Sequence, residues 1–80
     1  MQRITIRDLE KKIEFISEIT GKTHFWAGAY GGYKLEREGK HGGVNDVLNI
    51  GFVPKRKLYE HLVTLIKGLI IGKSINNNKR

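Results

Sequence analysis

A stripe of leucines in the C-terminal third of the chain constrains the fold more than any other feature. It consists of leucines spaced three or four residues apart: Leu58, Leu62, Leu65 and Leu69. This spacing stacks side chains on one face of a helix that turns by about 100° per residue. More apolar residues lie beside the stripe, namely Tyr59, Val63, Ile66 and Ile70. The helix therefore has an apolar arc about 160° wide, which the rest of an 80-residue chain must cover.

Pro54 and Gly72 predict where this helix begins and ends. Proline favours the first helical position, where its missing amide hydrogen has no intrahelical partner, and glycine is common just beyond a helix end. We expect residues 1–72 to form a single domain and residues 73–80 to be a polar, basic tail, of which residues 76–80 are unstructured.

The N-terminal segment predicts another helix, over about residues 6–20. Thr5 can cap it while Asp8 returns a hydrogen bond to the cap, and Gly21 can end it in a left-handed conformation. Its apolar residues recur at helical spacing: Ile6, Leu9, Ile13 and Ile16.

Aromatic residues on both sides of Gly31-Gly32 predict a β-hairpin, because tight hairpin turns need the positive φ that glycine adopts easily. If Gly31 and Gly32 are the two residues of the turn, each residue of the first strand faces a residue of the second strand. The facing pairs in this register are Tyr30 with Tyr33, Gly28 with Leu35 and Trp26 with Arg37.

The predicted order is helix, hairpin, a third strand over residues 44–50, and helix. This is an α+β domain (αβββα) with a three-stranded antiparallel sheet and both helices on one face. So small a sheet cannot cover two wide apolar arcs, and the surplus residues are Phe15, Ile19, Tyr59, Val63, Ile66 and Ile70. We expect a homo-oligomer, most simply a dimer, to bury them, unless the two helices hide them by packing together.

The charge of the chain favours anionic partners. Lysine and arginine number 15 against 8 acidic residues, a formal charge of +7.

The absence of cysteine excludes a disulfide framework and a thiolate zinc site, and indicates an intracellular setting. The start of the chain lacks the apolar stretch of a signal peptide, and the run 62–71 is shorter than the ~20 residues that a bilayer requires. We therefore expect no membrane association.

Lys55, Arg56 and Lys57 fall in the first turn of the second helix, where cations oppose the helix dipole. That turn also has backbone amides without intrahelical acceptors, so an anion would meet donors, dipole and positive side chains together. The alternative is that these cations form an ordinary solvated helix end.

The glycine-aromatic hairpin is a second candidate part of a ligand site. Aromatic faces can stack a base while Arg37 or Lys34 meets phosphate, and glycine lets backbone approach a ligand closely. The candidate ligand-binding residues here are Trp26, Tyr30, Gly31, Gly32, Tyr33, Arg37 and His41. The alternative is that the glycines make turns and the aromatic rings fill the core.

Catalysis has little support in the sequence. The two serines, Ser17 and Ser74, lie in or beyond the predicted helices, and the three histidines share no ligand spacing. We expect a protein that is not an enzyme, with no catalytic residues, no metal and no cofactor.

Several segments together resemble a group of small bacteriophage-encoded proteins of unassigned function. They are residues 4–10 (ITIRDLE), 19–21, 28–35 (GAYGGYKL), 42–44 (GGV) and 53–59 (VPKRKLY). The resemblance implies a phage accessory protein in the cytoplasm of the infected host cell. Such proteins often neutralise a host factor or sequester a nucleotide immune signal. With the basic cluster, this favours binding of a small phosphate-bearing ligand as counter-defence, or inhibition of a host protein by direct contact.

The predicted order of elements also resembles the double-stranded RNA-binding domain, which runs helix, three strands, helix. In that family, cations at the start of the last helix contact phosphates, a role that Lys55, Arg56 and Lys57 match, and His41 in a glycine-rich loop is similar to the minor-groove loop. A nucleic-acid-binding module is therefore the alternative function.

Overall fold

The chain folds in the predicted order of helix, three strands and helix. The computed structural model describes residues 3–39 and 42–78, the last six by backbone alone. The elements are α1 (Ile6–Thr20), β1 (His24–Ala29), β2 (Gly32–Glu38), β3 (Val44–Asp46) and α2 (Lys55–Asn78). The strands form one antiparallel sheet in the order β1-β2-β3. The αβββα prediction is confirmed.

Both helices lie on one face of the sheet, with α1 against β1, α2 against β2, and the helices against each other. Fully or almost fully buried side chains from α1, β2 and α2 form the core: Leu9, Ile13, Ile16, Leu35, Leu58, Leu62 and Ile66. The ammonium group of Lys12 lies 5.8 Å from the centre of the Tyr59 ring and adds a polar contact between the helices.

The ends of α1 match the prediction from sequence. The Thr5 hydroxyl accepts from the Asp8 amide at 3.2 Å, and the Thr5 amide donates to the Asp8 carboxylate at 2.9 Å, which completes a capping box. At the other end Gly21 has φ +71° and donates its amide to the Ser17 carbonyl at 2.9 Å.

The hairpin has a different register from the one predicted. The turn residues are Tyr30 and Gly31, with φ +54° and +73°, and not Gly31 and Gly32. The observed pairs are Trp26 with Leu35, Gly28 with Tyr33 and His24 with Arg37, so the indole is not opposite the guanidinium. Gly32 belongs to the strand because the backbone of residues 52 and 53 lies against it, where a Cβ would meet three backbone atoms at 3.1 Å.

The third strand is shorter than predicted, since it ends at Asp46 and not at residue 50. The Asp46 carboxylate turns the chain by accepting the Asn49 amide at 3.0 Å and the Gly51 amide at 2.9 Å. Asn49 and Gly51 both have positive φ, which no strand accommodates.

The second helix departs from the prediction at both ends. It begins at Lys55, one residue after Pro54, whose carbonyl accepts the Leu58 amide at 3.0 Å. It also continues through Gly72 to Asn78, so the predicted helix end at Gly72 is wrong, as is the prediction of unstructured chain for residues 76–78. Glycine ends a helix by adopting a left-handed conformation, and Gly72 stays right-handed.

Packing between the helices covers part of the apolar surplus. Ile66 is buried, and Tyr59 packs against the core from the side. Phe15 is 41% exposed and Ile70 is 49% exposed.

Within the described part of the chain, neither helix combines the length and the apolar character needed to cross a bilayer.

Replacing the cap residue, Thr5→Ala, is expected to lower the free energy of unfolding by about 1 kcal/mol, because the Asp8 amide loses its acceptor. Urea denaturation followed by circular dichroism measures this. Thr23→Ala is the matched control, because the exposed Thr23 side chain has no hydrogen bond among the described residues. Equal loss in both variants would show that the capping box does not stabilise α1.

The Asp8 carboxylate makes this cap dependent on pH. The hydrogen bond from the Thr5 backbone amide holds the pKa of Asp8 below its ordinary value of 3.8. A lowered folded-state pKa stabilises the fold above the unfolded-state pKa, and this stabilisation is lost as pH falls through the folded-state value. Wild type should therefore exceed Asp8→Asn in stability at neutral pH, and the difference should vanish in strong acid. A difference independent of pH would contradict this assignment.

Candidate functional site

The tip of the hairpin lies against the segment that leads into α2. The Tyr33 amide donates to the Val53 carbonyl at 2.7 Å, and the Val53 amide donates to the Tyr33 carbonyl at 2.9 Å. Lys55 follows Val53 by only two residues, so its backbone is within about 7 Å of this bridge. We call this surface the hairpin-helix junction: Tyr30, Gly32, Tyr33, Lys34, Phe52, Val53 and Lys55. The structure thus brings together the two parts of the site predicted from sequence.

Phe52 is a central residue of the junction that the sequence analysis missed. The Tyr30 ring meets the Phe52 ring edge-on, with centroids 5.6 Å apart. The Lys34 ammonium lies 4.6 Å from the centre of the Phe52 ring and 3.3 Å from the Glu36 carboxylate. The one sequence signal for Phe52 is its place two residues before Pro54. The Tyr30 ring is 94% exposed and open to a ligand.

The basic cluster spreads around the first turn of α2 and does not converge on one point. At about 100° per residue, Lys55 lies about 60° from the direction of the buried Leu58, and Lys57 about 100° away on the other side. Arg56 lies about 160° from Leu58 and faces solvent. Lys55 is half-buried and is the cation that the junction holds closest to the sheet.

The first turn of α2 has the electrostatics of an anion site. It contains no acidic residue. Pro54 has no side-chain oxygen that could cap the amides of this turn. An anion that approaches along the helix axis would meet the positive end of the dipole and the positive charge of this turn.

Of the other predicted site residues, Trp26 touches the junction at Tyr33, Arg37 lies away from it, and one cannot be placed. Trp26 packs edge-on against Tyr33, with ring centroids 5.5 Å apart, on the side of the sheet that carries the helices. Arg37 is four residues along β2 from Tyr33, a separation of about 13 Å. His41 lies outside the described residues. No three histidine, aspartate or glutamate side chains in the described ranges 3–39 and 42–78 are grouped so that they could hold a metal ion.

Comparisons of the chain with protein-family models, with curated proteins and with solved structures found no match. The likeness to phage-encoded proteins and to the double-stranded RNA-binding domain stays a prediction from sequence.

Gly32→Ala is expected to lower the free energy of unfolding by about 1–3 kcal/mol, because its Cβ would press on backbone that cannot move without breaking the bridge at Val53. Thermal or urea unfolding measures the change. Gly43→Ala is the control, since a Cβ there meets no atom within 4 Å. If Gly32→Ala unfolds like Gly43→Ala, the close approach at the junction is wrong.

Proposed function

We propose that the protein binds a small phosphate-bearing ligand at the hairpin-helix junction and does not turn it over. The observation that supports this most directly is the pair of hydrogen bonds between Tyr33 and Val53. These bonds hold Val53 against the hairpin two residues before the basic first turn of α2, and they bring Phe52, whose ring meets the exposed Tyr30 ring, to the same place.

The chemistry of the junction fits a nucleotide. A phosphate group at the helix end would meet backbone amides, the positive end of the dipole and the Lys55 ammonium. The Tyr30 ring offers a face for a base, and Lys34, beside Phe52, adds a second cation at the hairpin. In the infected-cell setting that the phage resemblance implies, the ligand would be a nucleotide immune signal that the protein sequesters.

The same cations also suit a nucleic-acid backbone, which is the second candidate function. The net charge of +7 favours it, since nonspecific binding to nucleic acid depends on the number of phosphates contacted. A third possibility, inhibition of a host protein by contact, would use the exposed apolar side chains of Phe15, Ile70 and Ile71.

Reversing the charge of Lys55 and Arg56 to glutamate should weaken ATP binding at least tenfold, because charge-assisted hydrogen bonds contribute about 1.5–3 kcal/mol each. The free protein should become slightly more stable, because acids suit a helix start. Isothermal titration calorimetry with ATP measures the first effect. The control is Lys11→Glu with Lys67→Glu, two exposed lysines on helix surfaces, which changes the net charge equally.

Equal weakening in both double variants would mean that net charge, and not the junction, attracts the nucleotide.

Salt dependence separates the two candidate functions. Binding of a 20-base-pair duplex through several phosphates would fall with a slope of about −0.9 per contact on logarithmic axes, whereas a ligand with one to three phosphates gives a shallow slope. ATP recovered as a hydrolysed product, without added metal, would contradict the non-enzymatic part of the proposal.

Self-association is the remaining proposal carried by the sequence. The support for it is the exposure of Phe15 and Ile70, which packing between the helices leaves uncovered. Light scattering is expected to give a mass above the 9.2 kDa of one chain, with a melting temperature that rises with protein concentration. Phe15→Glu should restore the monomer mass. A monomer at micromolar concentration, with a melting temperature independent of dilution, would remove the oligomer.

A further inference from the structure

An open groove of about 340 Å³ lies between α1 and β1, away from the hairpin-helix junction. It is lined by Glu10, Ile13, Glu14, His24, Phe25 and Trp26. Consecutive residues of a strand point to opposite faces of the sheet, so a groove that reaches His24, Phe25 and Trp26 follows the edge of the strand. Among the described residues, β1 is an edge strand that pairs with β2 alone.

The groove is acidic and aromatic in a protein that is otherwise basic. Glu10 and Glu14 are one turn apart on α1, and the Trp26 indole N–H donates to the Glu10 carboxylate at 3.4 Å. Carboxylates beside aromatic faces are the chemistry that recognises a guanidinium group, through ion pairing, hydrogen bonds and cation-π attraction.

His24 adds a nitrogen acceptor to the carboxylate oxygens of Glu10 and Glu14. Its side chain is buried, with 8% exposure, and lines the groove. Its Nδ1 lies 2.9 Å from the Lys22 carbonyl oxygen, which can only accept, so Nδ1 carries the proton in the neutral ring. Nε2 then has a lone pair, and it has no partner among the described residues. A ligand with several N–H donors could donate one of them to Nε2.

The outer edge of β1 offers backbone partners along the same groove. The His24 amide points away from β2, because it donates to the Ser17 hydroxyl at 3.0 Å. Backbone groups alternate along a strand, so the amides and carbonyls of Trp26 and Gly28 also point outward, where the sheet has no further strand. An extended peptide can pair with such an edge.

We propose that this groove binds an extended segment of another protein that carries an arginine. Its main chain pairs with β1 at Trp26 and Gly28. Its guanidinium group lies between Glu10 and Glu14, against the Trp26 ring, and donates to His24 Nε2. The outward backbone groups favour a peptide over a free cation, and charge complementarity selects arginine. The site is separate from the junction, so peptide binding at the groove can be tested whether or not the junction binds phosphate.

Trp26 is the one tryptophan in the chain, so its indole N–H is a unique reporter in ¹⁵N NMR spectra of the intact protein. The probe is acetyl-Thr-Thr-Arg-Thr-Thr-amide, compared with the same peptide carrying citrulline, which keeps the shape and removes the charge. The arginine peptide should shift the Trp26 indole and the Trp26 and Gly28 amide signals. It should bind about tenfold more tightly than the citrulline peptide and than acetyl-arginine-amide.

Glu14→Gln should weaken binding of the arginine peptide about threefold to fivefold, which is typical of one partly exposed charge pair. Glu18→Gln is the matched control, since Glu18 is exposed one turn further along α1 and does not line the groove. Equal binding of the arginine and citrulline peptides, or equal effects of the two variants, would overturn the site. Equal affinity for acetyl-arginine-amide would overturn the pairing of a peptide with the strand edge.

Discussion

The two hydrogen bonds between Tyr33 and Val53 fix the hairpin against the segment that leads into α2. They place the residue before Pro54 on the outer side of β2, in line with the short strand β3. This sets the point at which α2 begins and the direction from which it crosses the sheet. The packing of Leu58 and Leu62 on Leu35, and the position of the basic turn, both depend on that start.

The same bridge explains why the hairpin turns where it does. Backbone from residues 52 and 53 comes so close to Gly32 that a Cβ there would meet it at 3.1 Å. Gly32, which local turn preference assigns to the tip of the hairpin, therefore lies inside the strand. The turn then falls on Tyr30, a non-glycine residue with φ +54°. A tyrosine in that conformation is uncommon, and its cost is carried by the contacts made further along the chain. The exposed Tyr30 ring, which the proposed ligand site uses, is a consequence of this turn.

The two surfaces singled out for binding differ in charge and lie at different sides of the sheet. The junction is built on the β2 side from cations and a helix start without acidic residues, whereas the groove at β1 is built from carboxylates, an indole and an imidazole. Opposite charges on separate surfaces allow an anion and a basic segment to be held at once without competing for the same residues. Trp26 and Tyr33, whose rings touch, are the structural link between the two sides.

The sequence alone was sufficient for what depends on neighbours along the chain. Helical spacing, the Thr5 and Asp8 cap and the Gly21 end predicted α1 correctly, and the leucine stripe predicted the buried face of α2, because these features arise within a few residues. The basic turn followed in the same way from the position of Pro54. The hairpin register, the early end of β3, the role of Phe52 and the groove at β1 were decided by tertiary structure, because each depends on contacts between residues distant in sequence. Gly32 makes the reason plain: its neighbours along the chain favour a turn, and the backbone of Val53, which packs against it, requires a strand.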